Sequence, residues 1–493
     1  MKEKILNEHG GLADRRTPEY EVAEVAEVGR RRLLRAVLLG GAGIGVAGGG
    51  VAAILNSDPA SRTSPLGAPA GTRGGSPGAA IPSGSATPSG TANPTPSASV
   101  RASGTPSTVP TSGTPSTVPT SGTPSAVPTS GAPNGLLHTQ ADFDRMAAKV
   151  RAGAQPWQAG WDRLVANAHS QSTWKPRATA TVVRGGAGSN YAVLYNDIHA
   201  TYQNALRWKV SGDPAHADAA RDILNAWSGT LQTLTGDADR FLAAGIYGYQ
   251  FACAADIMRG YPGFDLAGFQ HMMLNVFYPM NNQFLTAHNG ACITNYWANW
   301  DLCNTASILA IGVLCADRAK ISQAVDYFKN GAGNGAITHA VPYLYPGGLG
   351  QWQESGRDQG HTMLGIGLTG AICEMAWSQG IDLYGYDDSR FLRGCEYVAA
   401  YNLGQDVPFT TYSWRNGVGC GWQTQTVISA GSRGQNRPVW ESVYNHYVKR
   451  KGLAAPNTAA YAARVRAEGG GGDYGGASGG FDQLGFGTLA YTL

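Results

Sequence analysis

The sequence predicts a mainly α fold, an α/α toroid built as an incomplete barrel of antiparallel helical hairpins. Three observations predict it. From about residue 136 onward, apolar residues recur at i, i+3, i+4 and i+7 in one run after another. Short polar turns separate the runs, so successive helices double back on each other. Strand-like alternation is scarce before about residue 407, after which Phe409 to Tyr412 and Thr424 to Ile428 read as short strands or loops. The span of roughly 350 residues suits one large domain. An α-solenoid is the alternative stacking of the same hairpins.

The elements follow in order. Thr139 with Asp142 marks a helix start, and Phe143, Met146, Ala147 and Val150 carry its apolar face. Trp161, Leu164, Val165 and Ala168 repeat that spacing. Leu194, Ile198, Tyr202 and Leu206 recur every four residues. Asp213-Pro214 pairs a cap with a proline ahead of Ile223, Ala226 and Trp227. Further helical runs cover about 238–259, 265–278, 299–316, 321–329, 363–379 and 388–402. Gly469 to Gly480 is too glycine-rich for a packed helix.

Two segments precede this domain of 136–493. Residues 1–56 contain Gly29-Arg30-Arg31-Arg32-Leu33-Leu34-Arg35 and then a Gly/Ala/Leu/Val-rich run from Ala36 to Leu55. A twin arginine before a weakly apolar stretch is the pattern of a twin-arginine export signal. A membrane anchor is the alternative, since about 20 residues just span a bilayer, but the many glycines make a poor membrane helix. Residues 57–135 are Ser, Thr, Pro, Gly and Ala with almost no large apolar side chain, and cannot bury enough surface to offset chain entropy. They include the nonapeptide GTPSTVPTS at Gly104 to Ser112 and Gly113 to Ser121, and GTPSAVPTS at Gly122 to Ser130. The expectation is a disordered linker holding a secreted or cell-surface domain away from its anchor point.

The net charge of +3 is too small to suggest a nucleic-acid partner. All seven cysteines lie in the domain, an odd number with no C-x-x-C pair and no Cys/His metal spacing. Most occupy apolar helical contexts as small buried hydrophobes, and one disulfide stays compatible with the count.

Candidate chemistry centres on QWQESGRDQGHT, Gln351 to Thr362. On a helix starting near Glu354, the residues Glu354, Arg357, Asp358 and His361 share one face. A solvated surface helix explains four charges equally well, but Trp352, two glutamines and the long apolar run Met363 to Trp377 set this stretch apart. A second constellation is His288-Asn289-Gly290 with Asn295-Tyr296-Trp297-Ala298-Asn299-Trp300-Asp301 at the head of an apolar helix. Amides there can hold an anion; the plainer reading makes Asn299 the N-cap and the tryptophans core. A third, Trp440 to Tyr447, is assigned chiefly to packing, with Tyr444 and His446 kept as binding candidates.

NWDLCN (Asn299 to Asn304) followed by QWQESGRDQGHT resembles the alginate-lyase-type polysaccharide lyases, closest to the glucuronan lyase branch. VVRGG (Val182 to Gly186), NYAVLYND (Asn190 to Asp197) and ALRW (Ala205 to Trp208) fit the same branch. The resemblance runs from about residue 137 to the C-terminus. It implies an α/α toroid, an exported enzyme, an acidic polysaccharide as substrate and β-elimination without a redox or nucleotide cofactor; no residue is assigned as a metal ligand. Asn299 and Arg357 match the family's amide and arginine and are expected to bind the uronate carboxylate. Trp300 stands where the alginate-specific pattern has His, which argues against plain alginate.

Elimination removes the proton at C5, beside the carboxylate, and expels the C4 oxygen. That proton becomes acidic only when the carboxylate is neutralised; a base takes it and an acid protonates the leaving oxygen. His361 is the first choice for base or carboxylate partner, with Tyr296, and then Tyr444, as the tyrosine. Glu354 is expected to orient Arg357, and Trp300, Trp352, Gln353, Tyr444 and His446 to line the substrate. Two alternatives remain: a glycoside hydrolase using two of Glu354, Asp358 and Asp301, and a non-catalytic surface protein that holds acidic polysaccharide on a stalk.

Overall fold

The structure is a computed structural model that describes residues 135–475 and 480–493. The segments 1–56 and 57–135, read above as export signal and linker, lie outside these residues save for Gly135.

Thr139 and Asp213 cap helices where the sequence predicted them. α1 (Gln140–Arg151) opens with a capping box between Thr139 and Asp142. α2 (Trp157–Ala166) follows. α3 (Ala192–Ser211) stops at Gly212, whose left-handed φ of 78° ends it, and Asp213 with Pro214 restarts the chain as α4 (Pro214–Ser228). α5 is one continuous run of Arg240–Leu242, a π turn Ala243–Tyr247 and Gly248–Ile257. α6 likewise joins Leu266–Met272, a π turn Met273–Phe277 and Tyr278–Ala287. The chain continues through α7 (Ala298–Leu314), α8 (Arg318–Asn330), α9 (Gln359–Ser378) and α10 (Tyr386–Asn402). α11 is Trp440–Tyr444 running into a π turn Asn445–Arg450, and α12 is Pro456–Val465.

These helices sort into an inner and an outer layer. Every residue of α7 is buried, and nearly every residue of α9 is. A helix that is apolar all round has neighbours on all sides, so these two stand inside. α4, α8 and α12 are amphipathic and bury one face. Gly245 of α5 faces Cys303 of α7, and Gly248 faces Ser307, where a Cβ would collide; the two helices therefore run side by side in the same direction. Gly367 and Gly370 of α9 face Val439 and Val443 at α11 in the same sense. α3 packs on α5, α5 on α7, α7 on α9 and α9 on α11, while the outer helices return the chain between them. The short helix Gly487–Ala490 touches α1, α2 and α11 and joins the two ends of the series. The result is the α/α toroid, with the N-termini of its inner helices gathered at one end.

Three small two-stranded sheets decorate that frame, more strand than the sequence pattern suggested. β1 (Thr181–Arg184) pairs in parallel with β2 (Thr233–Gly236). β3 (Tyr343–Tyr345) and β4 (Leu349–Gln351) form a hairpin, as do β5 (Tyr412–Asn416) and β6 (Gly421–Gln425). Strands this short lack the alternation that would reveal them. Among the described residues no helix is long and apolar enough to cross a membrane.

One buried carboxyl sets a pH limit on the ring. Glu468 Oε1 accepts from Trp440 N at 2.7 Å and Glu441 N at 3.1 Å, capping α11. Burial, and then the neighbouring Glu441, raise its carboxyl from 4.5 to about 8. The fold therefore binds a proton that the unfolded chain releases, and this contribution is lost as pH rises through that window. Melting temperature should fall between pH 5 and pH 8, and Glu468→Gln should flatten the decline; an unchanged slope in the variant would refute the assignment.

Candidate active site

The candidate site forms where the N-termini of α7 and α9 meet. Trp297 occupies the cap position of α7 but makes no side-chain cap bond. The first N–H groups of α7 are taken instead by the stretch before α9. Gln353 Oε1 accepts from Ala298 N at 3.1 Å, and Glu354 Oε2 accepts from Asn299 N at 3.1 Å. Glu354 Oε1 also accepts from Asn299 Nδ2 at 2.6 Å and from Arg357 Nη1 at 3.0 Å. Glu354 is fully buried; burial pushes its carboxyl up, against the opposing pull of Arg357, His361 and Asn299.

The four charges of this stretch do meet, though not on one helix. Gln353–Gly356 is a 3₁₀ turn, and α9 begins only at Gln359. Asp358 lies between them in an extended conformation as the N-cap. Its Oδ1 accepts from His361 N at 2.8 Å and its Oδ2 from His361 Nδ1 at 2.7 Å. Burial raises the Asp358 carboxyl, but the hydrogen bonds from His361 and the positive charge of Arg357 outweigh it and hold the group well below the usual carboxylate range. An ionised Asp358 assigns the imidazole proton to Nδ1. Nε2 is left with its lone pair and accepts from Arg357 Nη2 at 3.0 Å.

Arg357 completes its environment over the Trp297 ring, 5.3 Å from the centroid, with its Nε 3.6 Å from Asp358 Oδ2. Its side chain is 10% exposed, whereas the His361 side chain is 39% exposed. The arrangement is an open imidazole edge backed by a buried ionic chain.

The β5–β6 hairpin covers this corner. Trp414 packs on Trp297 with centroids 4.9 Å apart, and Tyr412 donates to Asn334 Oδ1 at 3.1 Å. Gly417 N donates to Asn295 Oδ1 at 2.6 Å, and a Cys292–Cys420 disulfide bolts the hairpin turn to the loop before α7. The segment after β6 lies along the Asp358 side, where Gln359 N donates to Gly431 O at 2.8 Å and Ser429 N to Ser355 O at 2.9 Å. Tyr296, on the loop entering α7, accepts from Asn289 Nδ2 at 3.0 Å, and Asn289 Oδ1 accepts from Arg240 Nη2 at 3.1 Å.

The structure thus brings together Asn299, Gln353, Glu354, Arg357 and His361, with Tyr296 on the adjoining loop. It separates the others. Trp300 is fully buried, packed against Phe284 and Tyr296, so it is core and does not line substrate. Trp352 is also fully buried, against Gly365 and Gly394. His446 lies toward the far end of α9, stacked 3.5 Å from Tyr384 and accepting from Arg450 Nη1 at 2.7 Å; burial and Arg450 push it down to about 3. Tyr444 stands beside Lys449 and Arg466, away from Arg357. Asn299 needs a correction of role. It is buried at position N2 of α7, not its cap, and one hydrogen of its amide is taken by Glu354.

Sequence reasoning missed three features. Asp358 was grouped with the charged face, yet Asp-x-x-His ahead of an apolar helix is a cap signature. Trp297 was read as core, which it is, but its buried ring also supports Arg357. Cys420, set between Gly419 and Gly421, and Cys292, two residues after Gly290, were legible as outliers, since the other cysteines sit in helices or, for Cys315, at a helix end. Among the described residues no group of three or more His, Cys, Asp or Glu could hold a metal ion.

Residues 175–408 match the family model described as alginate lyase. No curated protein sequence matches the chain. Among solved structures, the chain is similar to alginate lyase A1-III from Sphingomonas species A1, at 15% identity, covering 66% of this chain and 91% of that one, with a TM-score of 0.45. It is also similar to an alginate lyase from Bacteroides ovatus, at 12% identity, covering 73% and 99%, with a TM-score of 0.48.

Replacing Glu354 by Ala should destabilise the domain by about 3–5 kcal/mol, because it strands a nearly buried guanidinium and the N–H of Asn299. Chemical denaturation measures this, and a loss under about 1 kcal/mol would show that the ionic chain is not structural.

Proposed function

We propose that this chain, whose residues 175–408 match the alginate lyase family model, is a polysaccharide lyase that cleaves a uronate-containing polysaccharide, glucuronan ahead of alginate, by β-elimination. The observation that carries this reading is the Asp358–His361–Arg357 relay: a neutral imidazole with its lone pair directed at an arginine. A uronate carboxylate reaching Arg357 Nη2 displaces His361 Nε2 as its acceptor. The same event neutralises the carboxylate, which acidifies C5–H, and frees Nε2 to take that proton. The C4–O bond then breaks as the C4–C5 double bond forms, and the imidazolium returns its proton to the leaving oxygen. Asp358 stabilises the imidazolium through Nδ1 and holds the tautomer. Glu354 and Asn299 hold Arg357 in place.

Two further points support the reading. Trp300 occupies the position after the amide where the alginate-specific pattern has His, which favours another uronate such as glucuronan. The hydrolase alternative loses its acids, since Glu354 and Asp301 are fully buried and Asp301 is bound by His288 Nε2 at 3.0 Å and Gly335 N at 2.9 Å. Export by the twin-arginine route is part of the proposal. The Cys292–Cys420 disulfide supports it, being of the kind that persists in an oxidising compartment.

Unsaturated product, followed by absorbance near the ultraviolet edge on glucuronan, alginate, hyaluronan and pectate, tests the proposal. Arg357→Ala and His361→Ala should each lower kcat/KM at least about 100-fold with the fold retained. Wild-type-like turnover by either would overturn the assignment. Asp358→Asn keeps the shape but not the charge that selects the Nδ1–H tautomer, and should cost about 100- to 10,000-fold in kcat; near-normal kcat would remove Asp358 from the relay.

A further inference from the structure

Arg184 lies outside the constellation just described. It ends β1, inside the VVRGG stretch, and only 7% of it is exposed. Its guanidinium sits between two tyrosines, 5.0 Å from the Tyr191 ring centroid and 5.3 Å from that of Tyr247. Nη1 donates to Tyr247 Oη at 2.9 Å. The remaining donors make no hydrogen bond within the protein, yet none of them is sealed from solvent. Asp239 and Asp482 lie close enough to favour its charge, and Asp482 is held by Arg437 at 3.2 Å.

A guanidinium this buried ordinarily has a carboxylate partner, because desolvating an unpaired charge is costly. Here the fork is held rigid by two aromatic rings and one phenol, with its other donors open. That is the geometry for bidentate capture of a planar anion. Its place in the ring indicates which anion. β1 delivers Arg184 beside the π turn of α5, which contains Tyr247. That turn packs against α7 through Gly245 and Cys303, one helical turn from Asn299. Arg184 and Arg357 therefore occupy the same end of the toroid, the end where the inner helices begin. A polyuronate carries a carboxylate on every sugar, so one chain engages two separated arginines.

We propose that Arg184, clamped between Tyr191 and Tyr247, is a second carboxylate subsite that binds a non-reacting uronate of the same substrate chain. This rests on the lyase reading above. The role is ground-state binding, so it raises affinity without taking part in proton transfer.

Arg184→Gln and Arg184→Lys in the full chain test it, with circular dichroism and a melting curve to establish that each folds. On the polyuronate the wild type cleaves, Arg184→Gln should raise KM about 10- to 100-fold with kcat within about threefold. Arg184→Lys, which keeps the charge and loses the fork, should fall between, and the gap from wild type should narrow at high salt. Unchanged KM in a folded Arg184→Gln, or a penalty confined to kcat, would overturn the subsite. Calorimetry with glucuronan and alginate tetrasaccharides separates the two claims. A wild type that binds but yields no unsaturated product would sink the lyase reading alone, and a tenfold weaker Arg184→Gln would still support the subsite. Equal binding by both would sink the subsite alone, whatever the reaction.

Discussion

The Glu354 carboxylate ties the whole corner together. It accepts from the backbone and the side chain of Asn299 and from Arg357, so one buried group caps α7, fixes the turn before α9 and anchors the arginine. A buried carboxylate is costly unless its oxygens are satisfied. Here each oxygen has a partner, and the partners come from two parts of the site, Asn299 at the start of α7 and Arg357 after the 3₁₀ turn. The cost of burying the charge is offset only when α7, the 3₁₀ turn and Arg357 are all in place.

The motif-level reading captured the neighbourhood, and geometry supplied the reasons. NWD and QESGRDQGH were paired by resemblance; the structure pairs them through hydrogen bonds from the start of α7 to Gln353 and Glu354. The i, i+3, i+4, i+7 spacing of Glu354, Arg357, Asp358 and His361 was real, but a break at Asp358 rather than a continuous helix brings the groups together. Periodicity cannot see such a break, because a 3₁₀ turn followed by an N-cap keeps nearly the same spacing. The helical runs were legible since α7 and α9 carry long uninterrupted apolar stretches between good caps. Trp300, Trp352, Tyr444 and His446 were misplaced for a common reason: an aromatic or imidazole near a charged motif reads the same whether it faces a cleft or the core. Only burial distinguishes the two, and burial is a property of the ring.

The toroid also explains why chemistry collects at one end. Parallel inner helices bring their positive dipole ends together, a field suited to an acidic polymer. This local field does not need a basic protein, consistent with a net charge of only +3. The β5–β6 hairpin, held by Cys292–Cys420, adds a rigid cover over Trp297 and Arg357. Rigidity there suits a site whose work is to present an arginine and an imidazole in fixed register.

The central claim is that the bond is broken by elimination. Mass spectrometry of the oligosaccharides released from glucuronan by the purified protein tests it without any variant. Elimination predicts that every new non-reducing end lacks the mass of one water relative to the hydrolytic fragment, with no oxygen taken up from isotopically labelled solvent. Fragments of full hydrolytic mass carrying solvent oxygen would contradict the account.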